Sequence, residues 1–152
     1  MLDSQLVLFF HELNTNHVLA APYSGSGHTW GTEQDTGIKS LTTVGVAWHP
    51  IQHQAVIVAT ANTNVKGRME IYYRAVANGR IDATGTEDWI GGKDGGTATI
   101  ARPAVLVDTT RDAGPTGRVY AYYAASNPGL PVFFSMEVTF IRTQGLKQSL
   151  TR

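Results

Sequence analysis

The sequence predicts an all-β domain, and three observations carry that expectation. Glycine supplies 16 of the 152 residues while charged residues make up only 16%, a balance that favours many turns and short strands. No segment carries a capped apolar stripe at i, i+3, i+4 and i+7, as an amphipathic helix requires. Short runs rich in β-branched and aromatic residues recur instead, punctuated by Asn, Gly and Pro.

The N-terminal set of strands comprises Leu6–Glu12, Val18–Tyr23 and His28–Thr32, with Asn14-Thr-Asn16 as its first turn. A second set runs through Val44–His49, Gln54–Asn62, Met69–Val76 and Ile81–Trp89, with Asn78-Gly79 turning the chain between the last two. Within it, Gln54-Ala-Val-Ile-Val-Ala-Thr60 is nearly all apolar, the pattern of a strand buried on both faces. The third set is Arg102–Asp108, Arg118–Ser126, Val132–Thr139 and Ile141–Gln148. Gly91–Gly96 links two sets and Ala113–Gly117 lies inside one, both as turn chemistry. No linker divides the chain, so residues 1–152 read as a single domain.

Two internal overlays suggest the architecture. Leu6-Val-Leu-Phe-Phe10, Met69-Glu-Ile-Tyr-Tyr73 and Val119-Tyr-Ala-Tyr-Tyr123 each end in an aromatic pair. Each is followed by an Asn-containing turn (Asn127-Pro-Gly129 in the third) and another β-like run, and two units close on Trp30 and Trp89, with Phe140 similarly placed in the third. A second overlay sets Val44–Trp48 on Pro103–Val107 and Ala55–Thr60 on Arg118–Tyr123. Units of roughly 50 residues have the length of a propeller blade. The expectation is about three four-stranded β-propeller blades, with a two-layer β-sandwich as the alternative. A propeller normally needs about 4–8 blades, so self-association is expected, two copies closing a six-bladed ring. The first set lacks its innermost strand in this reading, and Ile141–Arg152 supplies an outer strand or pairs across a subunit boundary.

Tyr23-Ser-Gly-Ser-Gly-His-Thr-Trp30 resembles the Asp-box of sialidase-like propellers, S-x-D-x-G-x-T-W. Gly27, Thr29 and Trp30 match, while Gly25 stands at the Asp position and Tyr23 at the leading Ser. A second copy, Asp82-Ala-Thr-Gly-Thr-Glu-Asp-Trp89, has its Gly one place early. Met69–Arg74, followed by Asn78-Gly79-Arg80 and Trp89, is similar to repeats of the fucose-binding propeller lectins. The resemblance implies either a hydrolase with an arginine cluster and a Tyr–Glu pair, or a ring-forming lectin that binds sugars between blades. Ile100-Ala-Arg-Pro103 departs from the F/Y-R-I-P signature of the hydrolases, because its Arg and Pro are adjacent.

Candidate ligand-binding residues follow from chemistry. Trp30 and Trp89 offer indole faces on which a sugar's C–H face stacks, or else each packs its own unit. Glu70, Tyr72 and Arg74 alternate along one strand and share a face. Acceptor, aromatic ring and rigid donor fork would together grip hydroxyls; the alternative is a solvated strand face with an ion pair. Arg102 and Arg74 are the arginines considered for holding a carboxylate.

Catalytic and metal residues are not assigned. His49 and His53 flank a Pro-containing turn without a third ligand, and zinc needs three or four. Glu87 and Asp88 are strand neighbours facing opposite ways, and Asp82, Asp108 and Glu137 read as ordinary acids rather than a paired glycosidase dyad. Gly91–Gly96 lacks the phosphate-cradling pattern. Twelve basic and twelve acidic residues without a basic stripe argue against nucleic acid as partner. No cysteine is present, which excludes disulfides and thiolate metal sites. Leu6–Phe10 is too short for a signal core, and no apolar stretch approaches a membrane span. No cofactor is expected. The function expected is non-catalytic, lectin-like binding of a saccharide or glycan. The alternatives are a sialidase-like glycoside hydrolase fragment or oligomer, and a structural or protein-interaction module.

Overall fold

The structure, a computed structural model, describes residues 6–60, 69–77, 79–85, 87–89, 102–124, 133–139 and 147–149. Among them every regular element is a β-strand except one 3-10 turn at Arg111–Ala113, and the strands form three antiparallel sheets. The all-β class is as the composition predicts.

In the first sheet β2 (His17–Ser24) is central. It pairs with β1 (Val7–His11) on one side and with β3 (Thr29–Trp30) and β4 (Gln34–Lys39) on the other. The β1–β2 turn uses Asn16 at φ 60, a left-handed conformation that Asn tolerates better than most residues. β4 was not foreseen. Its sequence, QDTGIK, is polar, yet alternation buries Thr36 and Ile38 while Asp35 and Lys39 face solvent. The Thr36 hydroxyl donates to the Val18 carbonyl at 2.6 Å, next to a register shift at Val18/Leu19.

The second sheet runs β5 (Gly45–His49), β6 (Gln54–Thr60) and β7 (Met69–Ala77), with β8 (Arg80–Ile81) and β9 (Glu87–Trp89) both pairing β7. The single strand expected over Ile81–Trp89 is therefore two. Asp82 breaks it by accepting the Thr84 N–H at 2.8 Å and the Thr84 hydroxyl at 2.6 Å, a side-chain turn that competes with the sheet ladder.

The third sheet is a meander of β10 (Ala104–Asp108), β11 (Arg118–Ala124), β12 (Phe133–Thr139) and β13 (Lys147–Ser149). β13 pairs with β12 of its own chain, so this part of the C-terminal segment takes the outer-strand place. Phe140, Asn127–Gly129, Gly91–Gly96 and the ends of the expected strands at Asn62 and Ser126 lie outside the described residues.

The middle sheet is buried on both faces, as the apolar run of β6 predicts. Ala55, Ile57, Ala59 and Tyr72 pack with Val18 and Ile38 of the first sheet. Val56, Val58, Met69, Ile71 and Tyr73 pack with Val119, Ala121 and Tyr123 of the third. One overlay survives this topology and one does not. β5 and β6 correspond in position to β10 and β11, matching the Val44/Pro103 alignment. The three aromatic pairs instead fall on a first, a third and a second strand, so they do not mark equivalent places in a repeat.

His49 ends β5 fully buried, with Gly117 packed against its ring. Burial holds its imidazole below the usual value of 6.5, against an opposing contribution from the Thr116 backbone. The neutral ring is favoured in the fold, so its contribution is intact above about pH 6.5 and is lost as the unfolded chain takes up a proton below it. Denaturant titrations of the protein and of His49→Gln should therefore converge as pH falls from 7 to 5.

Candidate functional site

The seam between the first and second sheets is fastened by two polar side chains. Gln34, at the start of β4, donates through Nε2 to the Gly79 carbonyl at 2.5 Å and accepts the Ile81 N–H through Oε1 at 3.1 Å. Arg74 on β7 donates through Nε to the Thr36 carbonyl at 3.0 Å, and through Nη1 to the Gly85 carbonyl at 2.8 Å and the Tyr73 carbonyl at 3.2 Å. Its guanidinium carbon lies 5.1 Å from the Tyr72 ring centroid, a cation–π arrangement. Gly37, at φ 72, brings β4 against the second sheet; a Cβ there would sit 2.9 Å from the Ala83 carbonyl oxygen.

Where these fasteners stop, the seam opens into two cavities. One, of about 820 Å³, has a polar rim that includes Ser24, Thr32, Gln34, Gly79 and Arg80. The other, of about 870 Å³, is lined mostly by residues with apolar side chains, among them Leu8, Phe9, Val46, Trp48 and Val76, together with Arg102. Tyr23 lines both.

Tyr23 is the partner of Trp30 across β2 and β3. Their ring centroids are 5.1 Å apart with planes inclined at 59°, the tilted geometry that aromatic pairs prefer. The Tyr23 hydroxyl lies 3.2 Å from His28 Nδ1. Trp30 keeps 49% of its surface exposed beside Gly31 and Thr32 of the polar cavity. Its indole is held but not covered.

Compared with known proteins, the chain matches no family model, no curated protein and no solved structure. The chemistry of the seam therefore rests on its own residues.

Glu70, Tyr72 and Arg74 do share a face, but that face is turned into the seam: Tyr72 is 7% and Arg74 2% exposed. The Tyr72 hydroxyl donates to the Glu70 carboxylate and the Arg74 guanidinium stands over the Tyr72 ring, so the trio is a connected strut that lines neither opening. Trp89 pairs through its backbone with Glu70; its side chain lies outside the described residues. Arg102 is exposed and lines the opening of about 870 Å³, whereas Trp30, also exposed, lines neither cavity itself and meets them through its ring partner Tyr23. Two of the acids considered for glycosidase work are otherwise engaged, and the side chains of Glu87, Asp88 and Glu137 lie outside the described residues. Asp82 is held below its usual pKa by the Thr84 hydroxyl and N–H, and Asp108 by the Thr110 N–H and hydroxyl. A general acid needs the opposite shift. Among the described residues no three His, Asp or Glu side chains converge for a metal ion.

Sequence reasoning missed Tyr23, Gln34, Trp48 and Arg80. The register of a hairpin signals Arg80, which directly follows Asn78-Gly79. Trp48 lies within the apolar run of β5, GVAWH, and gives no sign of being exposed.

Proposed function

We propose that the chain is a non-catalytic carbohydrate-binding module whose three sheets serve as β-propeller blades, with a second copy supplying the blades that complete the ring. The observation that carries the binding reading is the half-exposed Trp30 indole held against Tyr23, which itself lines a polar cavity. A pyranose offers an apolar C–H face and a rim of hydroxyls, so it needs an aromatic platform and hydrogen-bonding groups side by side. Trp30 supplies the platform. Thr32, Ser24 and the Arg80 fork supply the hydrogen-bonding groups.

The blade reading is supported by a middle sheet that spends one face on each neighbour. Leu106 and Tyr122 of the third sheet remain 50% and 42% exposed, on the side of β10 and β11 away from Val105 and Ala121. Apolar side chains left open at the end of a sheet stack suit a further sheet.

Calorimetric titration across a panel of methyl glycosides tests the binding. At least one sugar should bind, and Trp30→Ala should weaken it at least tenfold while leaving the far-ultraviolet spectrum unchanged. Silence across the panel contradicts the reading.

A further inference from the structure

We infer that the ligand of this seam is a glycoside carrying an aromatic aglycone, with the sugar in the polar cavity and the aglycone in the apolar one. The inference rests on the carbohydrate reading and adds the second half of the ligand.

Three observations lead there. The two cavities share Tyr23 on the first sheet. On the second sheet Ala77 lines the apolar cavity, and Gly79 and Arg80 line the polar one, so the walls continue through a single hairpin. A ligand that occupies both openings would pass along Tyr23 and this hairpin.

The chemistry of the two halves differs in the same sense. Ser24, Thr32, Gln34 and Arg80 border one. Leu8, Phe9, Val46 and Trp48 border the other, where Arg102 is the one charged side chain among the described lining residues. Leu8 and Trp48 are 44% and 42% exposed, apolar surface that water meets at a cost. A flat aryl group covers such surface better than a hydroxylated ring does. It also stacks on Trp48, where a second sugar would leave hydroxyls facing aliphatic carbon. Each volume falls in the range of small-molecule sites, about 300–1,000 Å³.

The test compares methyl and phenyl glycosides of the same sugars by titration calorimetry against the whole chain. The phenyl compound should bind at least tenfold more tightly. Trp48→Ala and Leu8→Ala should each reduce that gain while leaving methyl glycoside affinity unchanged. Trp30→Ala should weaken both compounds. Because both groove side chains are exposed, unaltered melting curves are expected for their variants. If methyl glycosides bind and the phenyl group adds nothing, the aglycone inference fails and the carbohydrate reading stands. If the gain persists in both groove variants, the aglycone lies elsewhere and the inference fails. If neither compound of any pair binds, both readings fall.

Discussion

Replacing Arg74 with Met should lower the free energy of unfolding by about 3 kcal/mol, read as a fall in the denaturant midpoint with little change in slope. The side chain is 2% exposed and donates to the carbonyls of Thr36, Tyr73 and Gly85. Methionine restores most of the volume but leaves those carbonyls without this donor inside the fold. An orphaned buried acceptor costs roughly 1–3 kcal/mol. Thr36 belongs to the first sheet and Gly85 to the second, so the loss falls on the joint between them. Arg74→Lys should recover part of it, because one ammonium cannot reproduce a planar fork reaching both carbonyls. A change under about 1 kcal/mol for Arg74→Met would mean that the seam is held by its apolar contacts and Gln34, with little from Arg74.

The other large effect is expected at the opposite seam. Gly45→Val should destabilise the chain by about 3 kcal/mol, at the upper end of what overpacking typically costs. A Cβ at position 45 would lie 2.5 Å from the Pro103 carbonyl oxygen and 3.1 Å from Val105 Cγ2. Two backbones meet there, so no flexible side chain can yield. Valine is otherwise a better strand former than glycine, and a loss of stability therefore reports the clash itself. The affinity for methyl glycosides should be unchanged, since the polar opening is lined by the first sheet and the β7–β8 hairpin and not by the neighbours of Gly45. Thermal melts and titrations on the same sample separate the two effects.

How much was legible differs from element to element, for physical reasons. β6 could be read because burial on both faces leaves an unbroken apolar run. β4 could not, because QDTGIK owes its place to a bulge, to Gly37 at positive φ and to Thr36 bonding the chain beside it. The Asp82–Thr84 turn hid inside what read as one strand, since a side chain accepting two local hydrogen bonds leaves no mark on hydrophobic period. The aromatic pairs suggested a repeat in phase but occupy three different strand positions.

At the site, Trp30 was legible because an indole in a turn-rich stretch is conspicuous. The spacing of Glu70, Tyr72 and Arg74 correctly placed them on one face. Which side of the sheet that face looks toward depends on packing against Val18, Ile38 and Thr36, and no local pattern contains that information. The cavities are harder still. Tyr23, Trp48 and Arg80 come from three separate strands, and the spaces they line exist only because the first sheet covers part of the second.

The most direct measurement is a nitrogen–proton correlation spectrum recorded as a bound methyl glycoside is added. The account predicts that the Trp30 indole N–H and the backbone signals of Tyr23, Thr32 and Arg80 shift together along one saturating curve, with residues of the β10–β11 pair unmoved. Shifts confined to other parts of the chain, with Trp30 unaffected, would contradict it.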